Sequence, residues 1–443
     1  MKYVLFIFLL FASVFFTDAQ SVKKYGVVNL EGEIIVPLIY EKILPFENGY
    51  ARVIRRERYG LIDSSGKEIL ECKYQDIRDI LTDRIVIKLN NKYGVIDFRG
   101  NVIISFDQSR IVTLANGFFL AYKSITCGVY DNNGNITVPF SNNILVPFSG
   151  DRSLLFSVDS FRQNTKMIDY RNNEIPAFTN KRIRDLGNGY LGISQPQKGI
   201  YKVVDINGRE INPQVQLDDS QTFVGDYLRY SINGKLGLIN IRGEQVLAPV
   251  YKRIFDFSDG YAKVLKDSTR FGDNQYGVVD TAGREVIRCM YDGIGEFSDD
   301  RIMAFAEQKY GYLDKKGRVV IPFEYDEGNS FQDRMAIVAK ARHYGVIDTF
   351  GRIVLPFEYD DIKYLGASVF AVFRNGKWVI IDKAKHQLGS AEYDFVGKSY
   401  ANKYIAVSVN RKWGVLDYSG KVVLPFEYSA VDNYGDDVFV VGK

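Results

Sequence analysis

A short pattern of apolar run, turn and apolar run recurs along the whole chain. One copy reads Tyr-Gly-Leu-Ile-Asp-Ser-Ser-Gly-Lys-Glu-Ile-Leu over residues 59–70, and another reads Tyr-Gly-Tyr-Leu-Asp-Lys-Lys-Gly-Arg-Val-Val-Ile over residues 310–321. Such a pattern predicts two antiparallel strands joined by a tight hairpin. Asp or Asn at the first turn position can accept backbone N–H bonds, and Gly at the fourth takes a positive φ without steric cost.

The turn occurs twelve times, always with Asp or Asn first. These residues are Asn29, Asp63, Asp97, Asp131, Asp169, Asp205, Asn240, Asp280, Asp314, Asp348, Asp382 and Asp417. Gly follows three residues later in ten copies. The exceptions are Asn172, which also tolerates left-handed backbone, and Lys385, which does not do so comfortably.

The spacing of the turns indicates one repeat array. Successive first positions are 34, 34, 34, 38, 36, 35, 40, 34, 34, 34 and 35 residues apart. A period this regular is typical of a repeat protein and argues against several independent cores. Residues 266–275 form a longer loop that explains the spacing of 40.

Each unit is predicted to contain three strands. Two flank the turn, and a third shows the alternation of Tyr50-Ala51-Arg52-Val53-Ile54. A Tyr lies eleven residues after the turn Asp or Asn in eight copies, at Tyr40, Tyr74, Tyr251, Tyr291, Tyr325, Tyr359, Tyr393 and Tyr428. In the clearest copies this Tyr closes Pro-Phe-Glu-Tyr, where proline is predicted to end the second strand because it has no N–H.

The aromatic residues of this segment allow two interpretations. Phe323 and Tyr325 are two residues apart on an extended segment, so they point to one side with Glu324 on the other. They can stack from unit to unit as a core ladder, or they can form a row of Tyr faces that binds glycan rings or peptide. The copies between about residues 98 and 245 keep the turn but lose much of the consensus, through relaxed packing or adaptation to a partner.

Residues 1–19 are predicted to be a secretory signal peptide, and residues 20–443 to be the repeat array. Lys2 precedes an apolar stretch, and Thr17-Asp18-Ala19 offers small residues for cleavage. The apolar run is shorter than the roughly 20 residues that a spanning helix needs. We therefore expect an exported protein, periplasmic, at the cell surface or secreted, with no membrane span after cleavage.

Composition adds little chemistry. The 57 Lys and Arg residues nearly balance the 54 Asp and Glu residues, so no electrostatic case exists for nucleic acid. The odd number of cysteines, Cys72, Cys127 and Cys289, argues against a disulfide framework, and they are predicted to be small buried side chains.

No candidate catalytic, cofactor or metal site stands out. Calcium needs six to eight converging oxygens, which one turn carboxylate per unit does not supply unless neighbouring turns stack. Residues 131–135, Asp-Asn-Asn-Gly-Asn, resemble the start of an EF-hand loop, but the twelfth position is Asn142. The only histidines are His343 and His386. Glutamates that recur beside aromatics, as in a glycosidase, are expected to be structural because they repeat: Glu324, Glu358 and Glu427.

Residues 413–428, Trp-Gly-Val-Leu-Asp-Tyr-Ser-Gly-Lys-Val-Val-Leu-Pro-Phe-Glu-Tyr, resemble the WG-repeat family of bacterial proteins. The resemblance covers essentially all of the mature chain, with Tyr-Gly usually in place of Trp-Gly. Trp378-Val379 departs from it by losing the Gly. The resemblance implies a β-repeat protein, commonly exported, and supplies no catalytic residues.

Together these observations predict an all-β fold of about twelve three-stranded antiparallel units. Because 34–35 residues are short for a four-stranded propeller blade, an elongated or superhelical stack is favoured, with a closed ring as the alternative. The expected function is non-enzymatic binding or scaffolding, with an envelope protein or surface polymer as partner and no cofactor. Carbohydrate binding along aromatic rows is the first alternative, and a hydrolase the second.

Overall fold

A computed structural model describes most of the chain after residue 22. The described residues are 23–148, 154–158, 165–178, 181, 183–187, 189–194, 201–210, 223–224, 227–240, 244–267, 274–389, 392–435 and 437–443. The predicted signal peptide, residues 1–19, lies outside them. Within these ranges the strands form twelve small antiparallel sheets, and two short 3-10 turns occur at Ala115–Gly117 and Pro176–Phe178.

We number the sheets in chain order and name their strands first to fourth. Sheet 1 joins both ends of the chain, with strands Ala430–Gly435, Val438–Gly442, Tyr25–Asn29 and Ile34–Tyr40. Sheet 2 contains Lys42–Glu47, Tyr50–Arg55, Arg58–Asp63 and Glu68–Tyr74; sheet 3 contains Asp76–Ile80, Ile85–Leu89, Lys92–Ile96 and Val102–Gln108. Sheet 4 contains Arg110–Thr113, Phe119–Lys123, Thr126–Tyr130 and Ile136–Ser141; sheet 5 contains Ile144–Pro147, Leu154–Val158 and Thr165–Asp169.

The remaining sheets follow the same order. Sheet 6 contains Ile183–Gly187, Tyr190–Ser194 and Tyr201–Val204; sheet 7 contains Phe223–Val224, Tyr227–Ile232, Lys235–Asn240 and Gln245–Tyr251. Sheet 8 contains Arg253–Ser258, Tyr261–Asp267, Asn274–Asp280 and Glu285–Tyr291; sheet 9 contains Gly293–Ser298, Arg301–Ala306, Lys309–Leu313 and Val319–Tyr325. Sheet 10 contains Glu327–Gly328, Met335–Lys340, His343–Asp348 and Ile353–Tyr359. Sheet 11 contains Asp361–Gly366, Val369–Arg374 and Lys377–Asp382; sheet 12 contains Phe395–Tyr400, Tyr404–Val409, Lys412–Asp417 and Val422–Tyr428.

Sheet 2 shows how four strands fit into 34 residues. Its strands are six, six, six and seven residues long. Its first two turns have positive φ at both central residues, as in type I′ hairpins: Asn48-Gly49 and Arg56-Glu57. Only Gln75 separates its fourth strand from the first strand of sheet 3. For the nine four-stranded sheets the prediction of three strands per unit was therefore wrong, because the segment read as a connection forms an additional first strand.

The prediction that proline ends the second hairpin strand was also wrong. The fourth strand of sheet 9 runs through Pro322 to Tyr325. Its register with the third strand passes from Tyr312↔Ile321 to Tyr310↔Tyr325, so the ladder is irregular around the proline. Proline is tolerated there because the fourth strand is an edge strand with a bulge.

The glycine of the aromatic-Gly pair decides whether a sheet has a fourth strand. In the nine four-stranded sheets, a Cβ on this glycine would lie 2.5–3.0 Å from a carbonyl oxygen of the fourth strand. At Gly311 it would also lie 3.0 Å from the Phe323 ring. The three-stranded sheets, 5, 6 and 11, carry Lys166, Lys202 and Val379 at this position. A Cβ at this position in the other sheets would overlap a carbonyl of the fourth strand, and within the described residues only isolated bridges remain there.

Apolar clusters lie between neighbouring sheets and join all twelve. Each of the twelve clusters contains residues from two sheets that are consecutive in the chain, and the twelfth joins sheet 12 to sheet 1. Within sheet 1, Tyr25–Asn29 pairs with Val438–Gly442, so the two ends of the array share one sheet. The favoured elongated stack was therefore wrong. The sheets form a closed ring, which was the alternative prediction.

Both unusual residues at the fourth turn position adopt left-handed backbone. Asn172 has φ of 68° and Lys385 has φ of 70°. Left-handed backbone brings the Cβ of a non-glycine residue too close to the following carbonyl oxygen. The turn of sheet 11 therefore keeps its geometry at the expense of local strain.

Replacing Gly311 by Val should weaken the fourth strand of sheet 9. We expect the free energy of unfolding to fall by about 1–3 kcal/mol, because the new side chain overlaps the Ile321 carbonyl and the Phe323 ring. Gly293→Val is the control, since its Cβ would meet nothing closer than Phe305 at 3.5 Å. Denaturant melts measure the difference, and equal losses in both variants would contradict this role of the glycine.

Replacing Lys385 by Gly should stabilise the protein. The substitution removes left-handed strain of about 1 kcal/mol from the turn of sheet 11. Gly100→Lys is the reciprocal variant, because Gly100 has φ of 86° and nothing lies within 4 Å of its missing Cβ. We expect thermal melts to move in opposite directions for the two variants. A loss of stability in Lys385→Gly would show that the lysine makes a compensating contact.

Candidate functional site

The repeated carboxylates are engaged by their own turns. Asp314 Oδ1 accepts hydrogen bonds from the backbone N–H of Lys316 at 2.9 Å and of Arg318 at 3.0 Å. The Gly317 N–H donates to the Asp314 carbonyl at 2.9 Å. Asp131 is bonded in the same way by Asn133 and Asn135, so its resemblance to an EF-hand reflects turn capping.

The residue at the fifth turn position has hydrogen-bonding groups that complement those of the residue at the first. The sequence analysis missed this pairing. Asn29 and Asn240 are followed at this position by Glu33 and Glu244, whose carboxylates accept from the Asn Nδ2 at 2.8 and 2.6 Å. Every Asp is followed there by a residue that can donate: Lys67, Asn101, Asn135, Asn173, Arg209, Arg284, Arg318, Arg352, His386 and Lys421. The exchange of acceptor and donor keeps the pair complementary, which marks it as structural.

These hydrogen bonds lower the pKa of the turn carboxyls. The hydroxyl of Ser65 is the main cause that holds the pKa of Asp63 below its usual value, and the Asn101 amide does the same for Asp97. At Asp314, partial burial raises the pKa, but the bonds from Arg318 outweigh it. Among the described residues, no group of three or more His, Cys, Asp or Glu side chains is arranged to hold a metal ion.

The Tyr row lies in the core. All eight of these Tyr side chains are buried, at 1–7% exposure. Tyr291, Tyr325 and Tyr393 stack on Phe323, Phe357 and Phe426 of the following unit, with ring centroids 5.8–6.4 Å apart and planes within 28°. The core-ladder interpretation is therefore confirmed, and these ring faces are not available for stacking on a ligand.

The recurring glutamates lie on the surface. Glu324 forms an ion pair with Lys340 at 2.8 Å, and Glu427 with Lys443 at 3.0 Å. The third, Glu358, is exposed in the fourth strand of sheet 10.

The histidines and cysteines have local roles. His386 Nδ1 lies 3.0 Å from Asp382 Oδ2 within one turn, and His343 is exposed at the start of a strand. All three cysteines are free and lie buried or half-buried, as predicted. Burial raises the pKa of Cys289 to about 12, so its thiol stays protonated at neutral pH.

A row of exposed aliphatic side chains lies five residues after the turn Asp or Asn. It consists of Ile34, Val102, Ile136, Val319, Ile353 and Val422, which are 47–63% exposed at the start of fourth strands. The matching positions of the other units are Glu68, Glu174, Glu210, Gln245, Glu285 and Gln387. The aliphatic positions belong to sheets 1, 3, 4, 9, 10 and 12, and sheets 2, 5 to 8 and 11 carry none. Sequence reasoning overlooked this row, although its spacing from the turn was visible.

The fold defines this chain as a twelve-bladed β-propeller built from short repeats. A family model described as WG containing repeat matches residues 25–56, 59–93, 237–269, 276–309, 310–340, 344–378 and 413–443. The chain therefore belongs to the family of proteins with WG containing repeats. Within the described residues, no helix is long and apolar enough to cross a membrane.

A search of curated proteins found no match. Several solved structures show a weak likeness. A eukaryotic initiation factor shares 9% identity over 77% of this chain and 95% of its own, with a TM-score of 0.33. Apo AztD from Citrobacter koseri shares 15% identity over 72% of this chain and 95% of its own, with a TM-score of 0.27. Hsv2 from Kluyvelomyces marxianus shares 9% identity over 55% of this chain and 92% of its own, with a TM-score of 0.26.

Stability should fall as the pH drops below about 4. A lowered folded-state pKa means that the turn Asp residues stabilise the fold above their unfolded pKa of about 3.9 and lose that contribution below it. We expect denaturant midpoints to decrease from pH 5 to pH 3. A variant with Asp63, Asp97 and Asp417 all changed to Asn should show a shallower decrease, because Asn keeps the acceptor but does not titrate. An unchanged slope would contradict this assignment.

Proposed function

We propose that this protein is an exported binding or scaffold protein that presents an extended β-repeat surface to a protein or polymer of the cell envelope. The proposal is supported by where the recurring residues lie. The turn carboxylates cap backbone N–H groups, the glycines admit the fourth strand, and the Tyr residues fill the junctions. The recurring side chains thus have structural roles. The solvent-facing positions of the fourth strands are free to vary, as in other repeat proteins that bind partners.

The exposed aliphatic row is the single observation that carries the proposal. A β-branched side chain in solvent adds nothing to the core, yet six fourth strands begin with one. Scattered exposed apolar residues are ordinary, but a row at one structural position on several sheets is typical of a recognition surface. The carboxylates and amides at the same position on other sheets would keep the rest of the ring soluble.

Export rests on residues 1–19, with their positive start, apolar stretch and small residues at the cleavage position. Cleavage would release a chain that begins near Gln20, three residues before the first described residue. The protein would then reach the periplasm, the cell surface or the medium. Its partner would belong to one of these compartments.

The row can be tested by pull-down from an envelope extract with the purified chain from residue 20. Changing Val319 and Ile353 to Lys should reduce capture of the specific partner at least about tenfold, because burying two charges removes apolar contact and adds a desolvation cost. The matched control is the double variant Glu68→Lys plus Gln387→Lys, which places Lys at the same position of two sheets without an aliphatic residue there. This control should still capture the partner.

Three outcomes would contradict the proposal. Equal capture by both variants would exclude the aliphatic row as the contact surface. An empty pull-down together with clear binding on a glycan array would replace scaffolding by carbohydrate recognition, through aromatics other than the buried Tyr row, such as the exposed Phe350. Turnover of a glycoside or ester substrate by the purified chain would favour a hydrolase.

A further inference from the structure

Charge is unevenly distributed around the ring at one end of the sheets. Because neighbouring strands run antiparallel, the turn between the second and third strands lies at the same end as the link from the fourth strand to the next sheet. We call this end the link end. Glu41, the link between sheets 1 and 2, lies 3.6 Å from the Lys24 ammonium of sheet 1 and accepts the Arg56 N–H of sheet 2 at 2.8 Å. The link ends of neighbouring sheets therefore form one surface.

The link ends of sheets 1 to 4 are strongly basic. They contain eleven Lys and Arg residues against four Asp and Glu residues, within segments 23–24, 39–42, 55–58, 73–76, 89–92, 107–110, 123–126, 141–144 and 443. The matching segments of sheets 9 to 12 contain seven against ten, within 306–309, 324–327, 340–343, 358–361, 374–377, 392–395, 409–412 and 427–430. The matching turns of sheets 5, 6 and 8 fall partly outside the described residues. The near balance of charge in the whole chain therefore hides two arcs of opposite sign.

The two arcs also differ in how their cations are paired. In sheets 9 to 12 the links supply acidic partners, so that Lys340 lies 2.8 Å from Glu324 and Lys309 pairs with Asp326. In sheets 1 to 4, five of the eleven cations form an ion pair: Lys24, Arg55, Lys73, Lys123 and Lys443. The other six are exposed and form no ion pair within the described part of the chain: Lys23, Lys42, Arg56, Arg58, Lys92 and Arg110. We call these six residues the basic arc.

The basic arc extends over four consecutive sheets, from Lys23 before the third strand of sheet 1 to Arg110 at the start of sheet 4. A single small anion could contact only a few of these groups. A surface that carries many negative charges can face all of them at once, and the attraction of basic residues to such a surface accumulates residue by residue. The arrangement therefore suits an extended anionic surface.

An exposed isoleucine lies among these cations. Ile125 is 81% exposed, more than any other large aliphatic side chain of the described residues, and it lies in the turn between the second and third strands of sheet 4. Lys123 precedes it by two residues, and Arg110 begins the neighbouring strand. Ile39 and Ile144 are also exposed at the link ends. A basic surface with protruding apolar side chains is typical of proteins that bind at a membrane interface.

We infer that the link ends of sheets 1 to 4 bind an anionic lipid surface, with the basic arc against the phosphate headgroups and Ile125 inserted at the boundary with the acyl chains. A soluble polyanion would engage the cations but would leave Ile125 in water. The inference goes beyond the proposed binding function. It uses the opposite end of the strands from the exposed aliphatic row, so either proposal can fail without the other.

The first test is co-sedimentation of the chain from residue 20 with lipid vesicles. We expect binding to vesicles of phosphatidylglycerol and phosphatidylcholine in equal parts, and none to vesicles of phosphatidylcholine alone. Added salt should release the protein, because salt screens attraction between exposed charges. No binding to the anionic vesicles, or equal binding to both kinds, would overturn the inference.

Charge-removing variants locate the contact. A triple variant of the basic arc should bind the anionic vesicles at least about tenfold more weakly: Arg56→Gln, Arg58→Gln and Arg110→Gln. The matched control removes three exposed arginines from the same end of sheets 10 to 12: Arg342→Gln, Arg374→Gln and Arg411→Gln. It should bind within about twofold of the unmodified chain, because these groups lie outside the contact. Equal losses in the two triple variants would contradict the assignment of the surface.

Tryptophan fluorescence tests insertion separately from charge. Ile125→Trp should be quenched by anionic vesicles whose acyl chains are brominated, whereas Ile353→Trp, at the opposite end of the strands, should not. The unmodified chain supplies the background, because Trp378 is buried and Trp413 half-buried. Absence of quenching at position 125 would overturn the inference. If the chain also bound soluble polyphosphate, and the triple variant of the basic arc did not, the ligand would be a soluble polyanion.

Discussion

The contact between a glycine of the third strand and the backbone of the fourth constrains nine of the twelve units of this protein. The glycine allows a carbonyl oxygen to approach within 2.5–3.0 Å of where a Cβ would stand, and in several units an aromatic ring covers it, as Phe323 covers Gly311. This close contact lets the fourth strand pair with the third. The Tyr at the end of the fourth strand then packs between its own sheet and the next one. Where Lys166, Lys202 or Val379 stands in place of the glycine, the described residues form a sheet of three strands.

The ring follows from how consecutive sheets are joined. A single residue such as Gln75 connects a fourth strand to the next first strand, so adjacent sheets must lie against each other and share one apolar cluster. No sheet therefore has a core of its own, and stability depends on neighbours, as in other repeat proteins. The end sheets of an open array would each expose an apolar face. Pairing Tyr25–Asn29 with Val438–Gly442 removes both faces at once.

The sequence predicted the turn, its capping Asp and the hairpin strands, because these depend on residues close together in the chain. It predicted the stacking of Phe323 and Tyr325 through the alternation of an extended strand. The first strand of the sheets was missed because its segment in sheet 2, Lys42–Glu47, buries little more than Ile43 and shows no alternation. The closed ring was only the alternative prediction, because the expected blade length was taken from longer propeller repeats. In this chain, two-residue turns and one-residue links shorten the blades.

Departures from a repeat carry information only when the neighbouring units show what the position does. Lys166 stands where nine other sheets carry glycine, and within the described residues its sheet has three strands, so a structural cause accounts for this departure. The two turns that begin with Asn show the same principle. Asn29 and Asn240 are followed at the fifth position by Glu33 and Glu244, which accept from the Asn amide, whereas every Asp is followed there by a residue that can donate. The two changes compensate each other within one turn, so neither of them points to a ligand.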